Sequence, residues 1–168
     1  MLYIAVGEPG SGKSTAIKSR IEALGGVYVS RDEIRKTIIR PGEGYFGHEG
    51  QVFFEFIQQI QNALDNPHGP SEVYADATHL NRNSRRKLLT HLNLDPVQKI
   101  IVLYFDVDEN LLIFRNHFRP AAERIPSSAL ETMIGALEPP TTKEHPLFEI
   151  WKVDGYGYIT DHGEKEVS

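Results

Sequence analysis

Short apolar runs alternate along the chain with stretches of helical spacing. Strands are expected at Leu2–Val6, Val27–Ser30, Glu72–Asp76, Lys99–Phe105 and Phe148–Val153. Helices are expected at Ser14–Leu24, Asp32–Ile39, Glu49–Leu64, Arg82–His91 and Asp108–His117, with a shorter one over Ser127–Ala136. Strand-helix-strand alternation of this kind is the mark of βαβ units and a parallel sheet, so the expected class is α/β. Trp151, Phe148 and Ile150 are expected to pack the last strand.

Between these elements, Pro41–Gly47 holds three glycines and one proline, which suits an ordered element poorly. Arg119–Pro126 interrupts two helices and carries arginines, as a mobile lid would, so a lid is expected at about residues 118–126. Residues 1–153 then form one domain. Residues 154–168 form a polar tail whose end is expected to be disordered.

Composition narrows the class without changing it. The 168 residues suffice for one core, and 40% apolar with 24% charged residues is ordinary for a globular domain. The absence of cysteine excludes disulfides, thiolate catalysis and cysteine-based metal sites, and suits a reducing cytosol. A strand starting at Leu2 leaves no space for a signal peptide, and no apolar run approaches the roughly 18 residues of a membrane span. The expectation is a cytoplasmic protein with no membrane partner. The net charge of −5 comes from residues 129–168, while residues 1–128 are neutral overall. Eleven of the eighteen Lys and Arg residues fall in three clusters: Arg31, Arg35, Lys36 and Arg40; Arg82, Arg85, Arg86 and Lys87; Arg115, Arg119 and Arg124. These are either solvated helix faces or groups converging on one anionic ligand.

The candidate chemistry starts at Gly7-Glu8-Pro9-Gly10-Ser11-Gly12-Lys13-Ser14-Thr15, a full G-x-x-x-x-G-K-[ST] phosphate-binding loop between a strand and a helix. Its glycines let backbone N–H groups face the phosphates of ATP or GTP, and the helix N-terminus adds partial positive charge. Lys13 reaches the β and γ phosphates, and the Ser14 hydroxyl is suited to Mg²⁺.

Ser30-Arg31-Asp32-Glu33-Ile34-Arg35 follows the second strand. Ser30 with Glu33 reads as a capping box, and Asp32 with Arg35 as an i, i+3 pair. The same residues stand at the carboxyl end of a strand, where open α/β sheets bind ligands. There Asp32 can take a proton from an attacking hydroxyl and Arg35 can grip an acceptor phosphate. Both readings fit the spacing. In Ala75-Asp76-Ala77-Thr78-His79-Leu80-Asn81, Asp76 ends an apolar strand, the expected place for a carboxylate behind a magnesium ligand. Thr78 and Asn81 serve equally as helix caps. Arg115 and Arg119 share a helix face beside the expected lid, suited to charge on a transferred phosphoryl group or simply solvated. Asp106-x-Asp108 is not read as a phosphatase pair, because its strand belongs to the same sheet and no threonine follows where that chemistry needs one. Asp108 reads as a helix N-cap. The seven histidines show no metal-ligand spacing.

Together these motifs resemble the kinase domain of phage-type polynucleotide 5′-kinases, over about residues 1–153. The resemblance rests on the loop in the form G-x-P-G-S-G-K-S-T, on Ser30–Arg35, on Asp76–Asn81, and on Arg115 and Arg119 with Pro126 after them. Pro140-Thr141-Thr142-Lys143-Glu144 also looks like the broader P-loop kinase family, described as AAA_33-like. It implies a five-stranded parallel sheet ordered 2-3-1-4-5 with helices on both faces. It further implies Asp32 as general base on a 5′-hydroxyl of DNA or RNA, Arg35 on the acceptor's 3′-phosphate, Lys13, Ser14, Arg115 and Arg119 on the donor, and Asp76 near Mg²⁺. The strand-3 motif is one residue longer than the phage form, so Thr78 and His79 receive no roles by matching. The alternatives are a P-loop kinase for a nucleoside, modified base or small metabolite, and a non-catalytic nucleotide-binding switch. Asp32 with Arg35 supplies an acceptor site that a switch does not need.

Overall fold

The computed structural model describes residues 1–44 and 47–163. Six strands, β1 (Leu2–Val6), β2 (Val27–Ser30), β3 (Val73–Asp76), β4 (Ile100–Phe105), β5 (Phe148–Val153) and β6 (Ile159–Asp161), form one sheet in the order β2-β3-β1-β4-β5-β6. The first five are parallel in the expected order. β6 is an antiparallel addition at the β5 edge, from a segment whose polarity gave no strand signal. Residues 45–46, within the glycine-rich loop, and 164–168, at the end of the tail, lie outside the described residues.

Every residue of β1 and β4 is buried, which explains why they read as unbroken apolar runs rather than alternating ones. Successive side chains still part to opposite faces. Leu2, Ile4 and Val6, with Ile100, Val102 and Tyr104, meet Val52, Phe56 and Ile60 of α3 (Glu49–Leu64) and Leu88 and Leu89 of α4 (Arg82–Thr90). Tyr3 and Ala5, with Ile101, Leu103 and Phe105, meet Ile17 of α1 (Lys13–Leu24). On that second face the stacked Tyr3 and Tyr74 rings, 4.4 Å apart, turn their hydroxyls to Arg20 and Glu72.

Side-chain caps fix the starts of three helices. Ser30 Oγ accepts from Glu33 N at α2 (Arg31–Ile38), Asn81 Oδ1 from Ser84 N at α4, and Asp108 Oδ1 from Asn110 N at α5 (Glu109–His117). The connection from α5 to α6 (Ser127–Gly135) includes a 3₁₀ turn at Ala121–Glu123. The buried Asn116 pins its far end, donating to Ile125 O at 2.8 Å and accepting from Ile125 N at 3.0 Å. Among the described residues, no helix is long and apolar enough to cross a membrane.

Candidate active site

Three strand ends and two helix starts assemble the site. β1 runs into the phosphate-binding loop, and the approach there is close: a Cβ on Gly7 would stand 2.9 Å from both Phe105 Cβ and Ser11 Oγ. Gly12, at φ 95°, takes the left-handed conformation that turns the chain into α1. Gly7 N donates to Thr78 O at 3.0 Å, tying this loop to the one after β3.

Lys13 is buried and donates to Glu8 O at 2.7 Å and Ser11 Oγ at 3.3 Å. Burial lowers its ammonium pKa to about 8, against the pull of Asp76, Glu8 and Asp32. All three carboxylates therefore lie within electrostatic reach of Lys13. Glu8 is itself buried, its Oε2 making no hydrogen bond among the described residues, and burial raises its pKa, with Asp106 adding to the rise.

The parallel pairing of β2 with β3 puts Ser30 opposite Asp76. Asp76 Oδ2 accepts from Ser14 Oγ at 2.6 Å and from Tyr28 OH at 2.5 Å. Burial raises the Tyr28 pKa, and Asp76 raises it further, so the phenol stays a donor. The Ser14 hydroxyl spends its proton on Asp76 and keeps its oxygen lone pairs, a hard donor suited to Mg²⁺. Among the described residues no group of three His, Cys, Asp or Glu side chains is placed to hold a metal.

Asp32 stands in the first turn of α2 with its side chain 67% exposed, and accepts from Arg35 NH1 at 2.5 Å. The buried Arg35 also donates through Nε to Glu49 Oε1 at 2.8 Å, while Arg31 NH2 donates to Glu49 Oε2 at 2.8 Å. Burial pushes the Glu49 carboxyl up, but these two guanidinium groups carry it below the usual range. The i, i+3 pair and the capping hydrogen bond both form, so Asp32 and Arg35 sit in a structural network as well as at the strand end.

On the other side of the loop, Arg115 NH1 donates to Gly10 O at 3.0 Å and NH2 to Gly155 O at 2.5 Å. An Arg119 guanidinium nitrogen lies 3.9 Å from where a Gly10 Cβ would be. Arg119 is also among the charges that lower the Lys13 pKa. Both arginines thus belong to the phosphate loop's surroundings.

The α4 cluster divides. Arg85, 1% exposed, grips Glu144 with two bonds of 2.7 Å and donates to His79 O and Glu138 O at 3.0 Å each. It is a buried strut, and the three basic clusters do not converge whole on one ligand.

Several site residues carried no signal in the sequence. Tyr28 reads as an ordinary strand position. Glu49 is separated from its arginines by the glycine-rich loop. His79 is buried at φ 43°, with Nε2 making no hydrogen bond among the described residues, and burial lowers its pKa to about 3, with Arg31, Arg85 and Lys13 contributing. The turn at residues 154–158 lies over the loop: a Cβ on Gly12 would be 3.5 Å from Gly155 O, and Tyr156 lies beneath Arg115 at 5.9 Å.

A parallel sheet ordered in this way, with a complete phosphate loop at its carboxyl edge, defines a P-loop kinase fold with a nucleotide-binding loop. Residues 2–140 match the AAA_33 family, an AAA domain, and the chain belongs to that family. No curated protein matches it. Among solved structures it is similar to a sugar kinase from Janibacter sp. HTCC2649, with 16% identity, TM-score 0.64, and coverage of 92% of this chain and 85% of that one. It is similar to a fungal RNA kinase, with 17% identity, TM-score 0.62, and coverage of 99% and 39%. It is also similar to a chain of the Pnkp1/Rnl/Hen1 RNA repair complex, with 25% identity, TM-score 0.65, and coverage of 81% and 43%. The chain thus spans less than half the length of these two RNA-associated proteins.

Proposed function

We propose that this protein transfers the γ-phosphate of ATP to a 5′-hydroxyl of DNA or RNA, with Asp32 as general base. The observation that carries the reading is the placement of an exposed Asp32 carboxylate within electrostatic reach of Lys13, with an arginine one helical turn on. The likeness to a fungal RNA kinase and to a chain of an RNA repair complex supports a nucleic-acid acceptor.

Lys13 leaves its contacts with Glu8 O and Ser11 Oγ for the β and γ phosphates, which provide stronger, charged acceptors. Ser14 would hold Mg²⁺, oriented by Asp76; the ion, when bound, neutralises charge on the phosphate oxygens. Asp32 accepts the proton of the attacking hydroxyl, and Arg35 holds the acceptor's 3′-phosphate beside it. Arg115 and Arg119 stabilise charge on the transferred group, and residues 118–126 act as the lid that carries Arg119.

A small-molecule acceptor is the second reading. The sugar kinase likeness favours it, as does the engagement of Arg35 with Asp32 and Glu49, which suits a neutral polyol as well as a phosphate.

γ-Labelled ATP with a 5′-hydroxyl oligonucleotide, its 5′-phosphorylated twin, a nucleoside 3′-monophosphate and a panel of sugars tests both. Label on the 5′-hydroxyl strand and on the 3′-monophosphate, but not on the 5′-phosphorylated twin or on a sugar, is expected. Label confined to a sugar would establish the second reading instead. Asp32→Asn is expected to lower kcat by about 10²–10⁴-fold with ATP affinity retained; loss of ATP binding would mark Asp32 as a structural cap.

A further inference from the structure

Beyond the phosphate loop, a second concentration of positive charge lies on α4. Asn83, Arg86, Lys87 and Thr90 recur at i, i+3, i+4 and i+7, so they share one face of the helix. They line a shallow, widely open groove along that one helix. The helix buries Arg85, Leu88 and Leu89 on its other side, so this face has no part in the core. Unlike Arg85, neither Arg86 nor Lys87 makes an ion pair among the described residues.

An aromatic ring connects this face to the acceptor side of the site. The Lys87 ammonium lies 4.4 Å from the Phe53 ring centroid, and the Arg31 guanidinium lies 5.6 Å from the same centroid. The His91 ring meets Phe53 edge-on at 5.2 Å. Arg31 immediately precedes Asp32, and its Nε is buried without a hydrogen-bond partner among the described residues. Cations therefore run from Arg31, which lies next to Asp32 and is ion-paired with Glu49, past the partly buried Phe53 ring to Lys87, with Arg86 beside it on the α4 face. Cationic grooves are how proteins follow the backbone of a single strand, the cations taking its phosphates. A sugar or a mononucleotide has no further phosphates to occupy such a track.

We infer that the α4 groove is a second nucleic-acid subsite, which holds the backbone of a single-stranded acceptor beyond its 5′ nucleotide. The inference rests on the acceptor being a polynucleotide and adds where the rest of that strand lies. Arg86 and Lys87 contribute affinity for long acceptors and take no part in phosphoryl transfer.

Fluorescence anisotropy with a labelled single strand of about twelve nucleotides tests this, using the wild type, Arg86→Glu/Lys87→Glu, and the milder Arg86→Gln/Lys87→Gln. Thermal unfolding of each variant verifies that it is folded. The Glu pair is expected to weaken binding by about tenfold or more, and the Gln pair to make the slope of log affinity against log salt shallower by about 1.4. The KM for the long strand rises in both variants, while that for a nucleoside 3′-monophosphate stays constant. Unchanged affinity and salt slope in both folded variants would overturn the inference. If no nucleic acid is phosphorylated, the proposed function fails on that result, and the anisotropy still decides the groove. Binding by the wild type that the variants lose then retains a nucleic-acid face, whereas no binding at low salt removes it.

Discussion

One oxygen of Asp76 receives both the Ser14 hydroxyl of the phosphate loop and the Tyr28 hydroxyl of β2. Asp76→Asn keeps the shape but removes the charge that orients Ser14. Activity in a Mg²⁺ titration is expected to need 10–100-fold more metal, the range for losing a group behind a metal ligand; an unchanged titration would remove Asp76 from that role. His79 yields a prediction about pH. Its folded pKa, about 3, lies below the ordinary value of 6.5, so the unfolded chain takes up the proton first. Stability from this group is complete above about pH 6.5 and is lost as pH falls towards 3. Between pH 6.5 and 5 the loss is about 2 kcal/mol in urea unfolding. His79→Asn is expected to flatten that slope, and an equally steep slope in the variant would assign the pH dependence to other groups.

At the scale of elements, Arg85 fastens α4 to the 3₁₀ turn Thr142–Glu144 that leads into β5. Glu144 is held below the usual carboxylate range by Arg85, although burial pushes the other way. Removing one member of such a buried pair leaves the other charged and unpaired. Arg85→Ala is therefore expected to cost about 3–5 kcal/mol in urea unfolding, and Arg85→Ala/Glu144→Ala less than the sum of the two single changes. Additive losses would show that the two side chains act independently. The Pro140–Glu144 segment stood out in the sequence by resemblance alone; its structural work, a capping box with a carboxylate aimed at α4, needed the fold to appear.

Over the whole molecule, the sheet edge and the phosphate loop depend on each other. The 154–158 turn is fixed below by the β5–β6 pairing and above by Arg115, which bonds Gly155 O and Gly10 O together. Ending the chain after Val153 removes the turn and exposes the β5 edge. Such a truncation is expected to raise KM for ATP several-fold while kcat with saturating ATP changes less, because Arg115 loses its anchor rather than its charge. A truncated protein with the full-length KM would show that Arg115 holds its place without the turn.

The apolar runs and their spacing determined the five parallel strands and the helices between them, since a buried parallel strand must be apolar on both faces and a surface helix on one. The phosphate loop was equally legible, because its glycines and Lys13 fall within the seven residues Gly7–Lys13 and their chemistry is local. Ser30, Asn81 and Asp108 cap helices for the same local reason. The tertiary structure alone decided the rest. Arg31 and Arg35 meet Glu49 across the glycine-rich loop, Tyr28 meets Asp76 on the neighbouring strand, and Arg85 leaves its basic neighbours for Glu144. β6 pairs because an open β5 edge lies beside it, with little apolar pattern of its own. Each of these depends on a long-range contact whose partner is set by chain topology, and sequence spacing carries no record of which distant residues the fold makes neighbours.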